Sequence, residues 1–265
     1  MRKIVIILLI VVAFLLSACT EPLTYEELYE TYIQEIADRQ ATYQTYIDQY
    51  ETIYTEIVRA VVQVKAHFVM TSAAGSGYLF YEDESAYYVL TNYHVVSHPT
   101  HRLKNYEVVD YQEKTHAATL VFADANYDLA MLSIAKKTQD ELMVLSTWLI
   151  DAPIKSSAFI LGYPDGQINA LSSGQIESMI SSNIVDEKDV DVHIDFKVFL
   201  IEAPVLKGSS GSVVFNENYH VVGLVYAGSF SNDNKMADAA LAIPSAKIIE
   251  FLALHDFEMN GGMTP

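Results

Sequence analysis

Three hydrophobic patterns follow one another along this chain. An unbroken apolar run covers Ile4 to Leu16. From Glu21 to about Ala60 there is no glycine, and no proline after Pro22. Here apolar residues recur at alternating spacings of three and four: Tyr29, Ile33, Ile36, Tyr43, Ile47, Tyr50, Tyr54, Ile57 and Val61, with Gln40 as the one polar occupant. That spacing predicts one long helix of about ten turns, roughly 50–55 Å if straight. Thr24 with Glu27 three residues later makes a capping box at its start. A heptad seam over residues 24–61 suits a stalk or a homo-oligomer contact, and the plainer alternative is a helix laid on its own domain.

After Ala60 the period drops to two, in short runs rich in Val, Ile and Tyr. Val61–Val69, Ser76–Tyr81, Tyr87–Thr91, Tyr106–Tyr111, Ala117–Phe122 and Ala130–Ile134 form a first set of expected strands. A less regular link runs from Ala135 to Asp151. The second set is Ser157–Gly162, Gly174–Ser181, Val190–Phe196, Val198–Glu202, Ser212–Asn216, His220–Tyr226 and Ala239–Ala242. Pro244 then opens a short helix, Ser245 to Leu254, and a polar tail follows. The expected fold class is mainly β: two six-stranded antiparallel barrels, a long N-terminal helix and a short C-terminal helix. The expected bounds are 19–60 for the helical segment and 61–256 for the β domain. Within that domain the first barrel lies near 61–140, the second near 152–243 and the helix near 244–255, leaving a tail at 257–265.

Composition changes this picture at two points. Formal net charge is −18, which argues against nucleic acid as a partner. The N-terminus has Arg2 and Lys3, a short apolar core, then small residues, which is the layout of a secretory signal over residues 1–18. Leu16-Ser17-Ala18-Cys19 resembles the lipobox of bacterial lipoproteins, and Cys19 is the only cysteine in the chain. A lone early cysteine cannot form an internal disulfide and is well placed as a lipidation site. The location implied is the cell membrane, lipid-anchored on its extracytoplasmic face. The alternative is an ordinary signal peptide that carries a cysteine.

The chemistry centres on Lys207-Gly208-Ser209-Ser210-Gly211-Ser212, which runs into the apolar Val213-Val214-Phe215. A serine among glycines suits a nucleophile on a tight turn, where backbone N–H groups can converge on one point. His94 stands at the end of a strand in VLTNYHVV, and Asp128 immediately precedes one in NYDLAMLSI. Each alone has a plainer reading, a surface histidine and a turn aspartate, and Asp124 competes with Asp128. HVVSHPTH also invites a metal reading through His94, His98 and His101. Pro99 breaks the helical spacing there, however, and no cysteine or carboxylate cluster completes a site, so no metal and no cofactor are expected. Taken together, Ser210 Oγ would attack a carbonyl carbon, His94 would accept its proton, and Asp128 would orient His94. The turn Gly208-Ser209-Ser210 would form an oxyanion hole through the N–H groups of Gly208 and Ser210.

These motifs resemble the trypsin-like serine proteases, in their HtrA and glutamyl-endopeptidase branches. TNYHVV is similar to T-N-x-H-V, YDLAML to D-L-A-x-L, and GSSGSVVFN to G-N-S-G-[GS]-P-[LV]; GSGYLF, GYPDG, SSGQI and AIPSAKI add weaker echoes. The order His, Asp, Ser is that of the chymotrypsin arrangement. The resemblance covers about Val61 to Leu254. Ser209 stands where the family usually has asparagine, and Ser212-Val213 where it has a residue followed by proline. The loss of that proline makes the rigidity of the turn a question for the structure. HtrA proteins typically carry a C-terminal PDZ domain, and none is expected in the length that remains after Leu254.

The resemblance implies that Val225, Tyr226 and Ala227 line the substrate backbone and a specificity pocket. Val225 stands where glutamyl endopeptidases carry a histidine. Pro204 stands where trypsins carry the acid that binds basic side chains. A small or medium apolar side chain is then the expected preference, and His193 is an unplaced contributor. The function implied is a membrane-anchored serine endopeptidase acting on protein or peptide substrates through an acyl-enzyme. The alternative is a catalytically silent lipoprotein that uses the same fold for binding or scaffolding.

Overall fold

The structure is a computed structural model that describes residues 24–166, 170–181, 184–185, 191–192, 194–229 and 236–257. The expected signal segment 1–18, Cys19, His193 and the tail beyond Phe257 lie outside the described residues. The chain divides into two compact units between Tyr50 and Glu51.

The first unit is helical. One α-helix runs Tyr25–Thr55 over 31 residues, and the capping box is made at its start. Thr24 N–H donates to Glu27 Oε2 at 2.8 Å, and Glu27 N–H to Thr24 Oγ at 3.3 Å. Those bonds favour the carboxylate, and the Glu27 carboxyl sits below its ordinary range because of them. Tyr29, Ile33, Tyr43, Ile47 and Tyr50 are exposed along the seam. The helix stops at Thr55 rather than near Ala60, and the seam explains why. Ile53 and Ile57 are buried in the core of the second unit, where a tighter 3-10 turn over Ile57–Ala60 leads into the first strand. Ile57 and Val61 serve that core rather than a helical seam.

In the second unit the strands are β1 (Val61–Phe68), β2 (Ser72–Glu82), β3 (Ala86–Thr91), β4 (Leu103–Val109), β5 (Thr115–Asp124) and β6 (Leu129–Ala135). Then come β7 (Ser157–Gly162), β8 (Ala170–Ile180), β9 (Ile184–Val185), β10 (Asp191–Val192) and β11 (Val198–Ile201). The last are β12 (Val205–Leu206), β13 (Val213–Phe215), β14 (Val221–Gly228), β15 (Met236–Ala237) and β16 (Ala240–Pro244). Two closed barrels result, ordered β1-β2-β3-β6-β5-β4 and β11-β16-β14-β13-β7-β8, with all ladders antiparallel. The pairs β9–β10 and β12–β15 stand outside the barrels. Of the expected strand at Val190–Phe196, Val190 and His193 lie outside the described residues and β10 falls within it.

The period-two pattern sorts side chains between two kinds of interior. Val62, Val64 and Ala66 of β1 fill the first barrel with Leu79, Val89 and Leu132. Ile160, Phe199, Val214 and Val225 fill the second with several alanines. The opposite faces meet in a core between the barrels, built from Tyr78, Phe80, Leu129, Met131, Leu161, Phe215 and Tyr226. The C-terminal helix, Ser245–Leu254, adds Ile248, Phe251 and Leu252 to that core. Beyond the helix, the Phe257 ring lies 5.4 Å from Tyr81 and 5.3 Å from Tyr88 on the first barrel. Each fully buried aromatic contributes roughly 1.5–3 kcal/mol, so the docking of the barrels rests on apolar area, and the site lies along their junction.

Candidate active site

His94 sits in a single helical turn, Tyr93–Val96, that follows β3. Asp128 occupies the tight turn before β6, with its N–H 3.3 Å from the Ala125 carbonyl and a left-handed φ of 49°. Aspartate tolerates that conformation better than most residues. The turn aims both ends of Asp128 at the histidine segment. Its carbonyl accepts Tyr93 N–H at 3.1 Å and Asn92 Nδ2 at 3.0 Å. Its carboxylate accepts His94 N–H at 3.0 Å on Oδ1 and faces His94 Nδ1 at 2.7 Å from Oδ2. Asn92 makes no side-chain cap of its own, so Asp128 caps the turn from outside and grips the ring as well.

The environments of the two groups differ as their chemistry demands. The Asp128 side chain is 0 % exposed and that of His94 14 %. A carboxylate only accepts, so Nδ1 carries the hydrogen and the lone pair lies on Nε2. Asp124, the competitor, is spent locally: its Oδ1 accepts the Asn126 N–H at 2.8 Å and the Asn126 side-chain amide at 3.0 Å. His98 is tied to its own loop, with Nδ1 accepting the N–H groups of Thr100 and His101, each at 3.2 Å.

Ser210 arrives from the second barrel, on the loop between β12 and β13. The histidine turn and the serine loop approach each other across Gly75 of β2. A Cβ on Gly75 would stand 2.7 Å from Val95 Cγ2 and 3.0 Å from the Ser210 carbonyl oxygen. Only a residue without a side chain lets β2 slide between the neighbours of His94 and Ser210. Ser210 Oγ is partly buried and lies 3.5 Å from the Tyr226 carbonyl, a long contact.

Gly208 and Gly211 both have left-handed φ, 86° and 89°. Between them the Ser209 N–H donates to the Leu206 carbonyl at 3.1 Å, and the Ser209 carbonyl accepts Ser212 N–H at 2.9 Å. Gly211 N–H donates to the Val225 carbonyl at 2.8 Å. Among the described residues, the N–H groups of Gly208 and Ser210 take no acceptor.

The residues expected to meet substrate fall in different surroundings. Val225 is fully buried inside the second barrel and Tyr226 in the core between the barrels, whereas Ala227 is half-buried. The ladder of β14 with β16 shifts register between Val225 and Ala227, so Tyr226 is skipped in that pairing and its carbonyl points toward Ser210. Pro204 is exposed between β11 and β12.

Sequence reasoning passed over Ser76 and Tyr163, which touch this site. They lie in GSGYLF and GYPDG, the two segments singled out only as supporting echoes. Both are nearly fully buried. Burial of Tyr163 holds its phenol above the ordinary range, with Asp110 and Glu113 adding to the shift.

Residues 75–224 match the family described as "Trypsin-like peptidase domain". A serine protease HtrA-like protein of Staphylococcus haemolyticus is 27% identical over 164 residues, which cover 61% of this chain and 25% of that protein. This chain thus spans about a quarter of the relative's length. Among solved structures, the active form of the Rv3671c protease from M. tuberculosis is similar with a TM-score of 0.61 at 23% identity, over 78% of this chain and 83% of that one. An HtrA-type AlgW protease variant with tripeptide is similar with a TM-score of 0.59 at 20% identity, over 76% of this chain and 61% of that one. At such identities the two structures speak for the fold.

Proposed function

This chain belongs to the trypsin-like peptidase family, and from that premise we propose that it is a serine endopeptidase working through Ser210, His94 and Asp128. The observation that carries this reading is the double grip of the buried Asp128 carboxylate on His94, through Nδ1 at 2.7 Å and the backbone N–H at 3.0 Å. An aspartate so held sets the tautomer a general base needs and stabilises the imidazolium that forms.

Ser210 Oγ attacks the substrate carbonyl carbon while its proton passes to His94 Nε2. The electron pair displaced onto the carbonyl oxygen faces the N–H groups of Gly208 and Ser210. Each such donor is typically worth about 3–4 kcal/mol. Collapse of the tetrahedral species expels the amine, which takes the proton from Nε2 and leaves an acyl-enzyme. Water then repeats the sequence and frees Ser210. Ala227 and Pro204 flank the substrate, and small or medium apolar side chains are the preferred class. Val225 acts only through the backbone of β14, since its side chain is buried.

Lipidation of Cys19 anchors the enzyme to the extracytoplasmic face of the membrane, and the seam on the long helix pairs copies of the chain. The supports are the signal layout of residues 1–18, the single cysteine and the exposed tyrosine and isoleucine positions of the helix.

The test is fluorophosphonate labelling of the full chain beside its Ser210→Ala variant. Labelling of the wild type alone is expected. Equal labelling of both at neutral pH would sink the catalytic reading and leave binding or scaffolding as the use of the fold. Cys19→Ser is expected to release the protein from membranes on fractionation, and unchanged retention would count against the anchor.

A further inference from the structure

We infer that Ser76, on the first barrel, is a positioning residue that holds the oxyanion turn of the second barrel ready for its substrate. The inference rests on the reading of Ser210 as nucleophile and goes beyond it to the rigidity of the turn. That turn is built on two glycines with left-handed backbones, Gly208 and Gly211, which are individually soft. Some external tie must order it.

Ser76 is 0 % exposed and hydrogen-bonds through its N–H, its hydroxyl and its carbonyl at this junction. Its N–H donates to the Ser210 carbonyl at 2.7 Å. Its Oγ donates to the Gly208 carbonyl at 2.9 Å. The same Oγ accepts Tyr163 N–H at 2.9 Å. Its carbonyl accepts Thr91 Oγ at 2.7 Å, which fastens the hub to β3.

The effect follows from the planarity of peptide units. The unit joining Gly208 to Ser209 is held at both ends, its carbonyl by Ser76 and its N–H by Leu206. The unit joining Ser210 to Gly211 is likewise held, its carbonyl by Ser76 and its N–H by Val225. Between them, the Ser209 carbonyl is held by Ser212 N–H. With these planes fixed, the Ser210 N–H is oriented by the held Ser209 carbonyl in its own plane, and the Gly208 N–H belongs to the unit immediately before the one that Ser76 holds, which anchors it on one side. A donor that is already oriented costs nothing to reorganise when the oxyanion forms. Ser76 lies on one barrel and the turn on the other, so this arrangement also makes catalytic geometry depend on barrel docking.

The experiment uses the full chain and its Ser76→Ala variant. It employs a fluorogenic peptide with valine before the scissile amide, the boronate of the same peptide, and the cleaved product peptide. Expected is a fall in kcat of roughly tenfold to hundredfold with KM little changed. Boronate affinity should fall by the same factor, because only the boronate forms a tetrahedral adduct. Product affinity and the fraction of active sites titrated by fluorophosphonate should stay at the wild-type level. If Ser76→Ala does not fold, Ser76→Cys keeps the shape with a weaker donor and is read in the same way. Unchanged kcat and boronate affinity in a folded variant would overturn the inference while leaving the peptidase reading intact. An equal loss in product binding would also overturn it, by reducing Ser76 to general structural support. An inert wild type would overturn the peptidase reading and this inference with it.

Discussion

The Tyr127 hydroxyl donates to Glu250 Oε1 at 2.6 Å and thereby ties the turn that carries Asp128 to the C-terminal helix. The Tyr127 ring lies 6.0 Å from Phe251 of the same helix and 5.7 Å from Phe196. Glu250 is braced in turn by Lys247 Nζ at 2.6 Å. The segment that ends the second barrel therefore supports the residue that orients the histidine of the first.

Tyr127→Phe keeps the ring and removes the hydrogen bond. A loss of about 1 kcal/mol in stability is expected, with a drop in kcat of a few fold as the Asp128 turn loosens. Urea unfolding and peptidase assays on the same preparation check both. A variant as stable and as active as wild type would show that the ring contacts alone hold the turn.

The same pair gives stability a dependence on pH at both ends of the scale. Bonds from Lys247 and then Tyr127 lower the Glu250 carboxyl. Its contribution is present above the unfolded value near 4.5 and is lost as pH falls through the lowered folded value. Burial, and then the Glu250 bond, raise the Tyr127 phenol to about 12. That contribution is complete below the unfolded value near 10 and is lost as pH rises toward 12. Melting temperature against pH should therefore separate wild type from Tyr127→Phe most between about pH 5 and 9, with the gap closing on the alkaline side. A constant gap up to pH 12 would refute the assignment.

Asp128→Asn tests the grip on His94. An amide can offer its NH2 group to Nδ1, which would move the ring hydrogen to Nε2 and leave no base facing the nucleophile. A fall in peptidase rate of about four orders of magnitude is expected, with stability far less affected. Stopped-flow fluorophosphonate labelling would measure it, and a loss below tenfold would contradict the role given to Asp128.

Two glycines with left-handed backbones make a paired test. A Cβ on Gly211 (φ 89°) would stand 1.9 Å from the Ser76 carbonyl oxygen, whereas one on Gly166 (φ 73°) meets, among the described residues, nothing closer than Gln63 Nε2 at 3.6 Å. Gly166→Ala pays only the backbone strain, about 1 kcal/mol. Gly211→Ala adds a collision with backbone and is expected to cost well over about 2 kcal/mol. Thermal melts of the two variants side by side should show the contrast.

A helix of 31 residues with a tyrosine-rich seam gains little from helix propensity alone, and most helical stability in proteins comes from packing of an apolar stripe. Association of the full chain into dimers or higher species is expected, with a monomer once residues 21–50 are deleted. Sedimentation equilibrium decides it, and a monomer in both forms would remove the pairing role of the helix.

The alternation from Val61 onward determined that this is a β protein with two sets of strands. Val62, Val64 and Ala66 show how one period sorts side chains between barrel interior and barrel junction. The capping box at Thr24 and Glu27 and the helix Ser245–Leu254 were legible because their signals lie within a few residues of one another. His94, Asp128 and Ser210, proposed as base, orienting acid and nucleophile, were singled out by residue type and order alone. The same local reading carried the long helix too far. Ile57 and Val61 keep the helical spacing, and only the packing of the second unit shows that they belong to its core. Ser76 and Tyr127 gave no sequence signal of their role, because a serine in a strand and a tyrosine in a turn have many ordinary uses. Their partners, Gly208 and Glu250, lie more than a hundred residues away along the chain. Periodicity reports which face of an element is buried, whereas which distant carbonyl meets which hydroxyl is decided only when the two barrels dock.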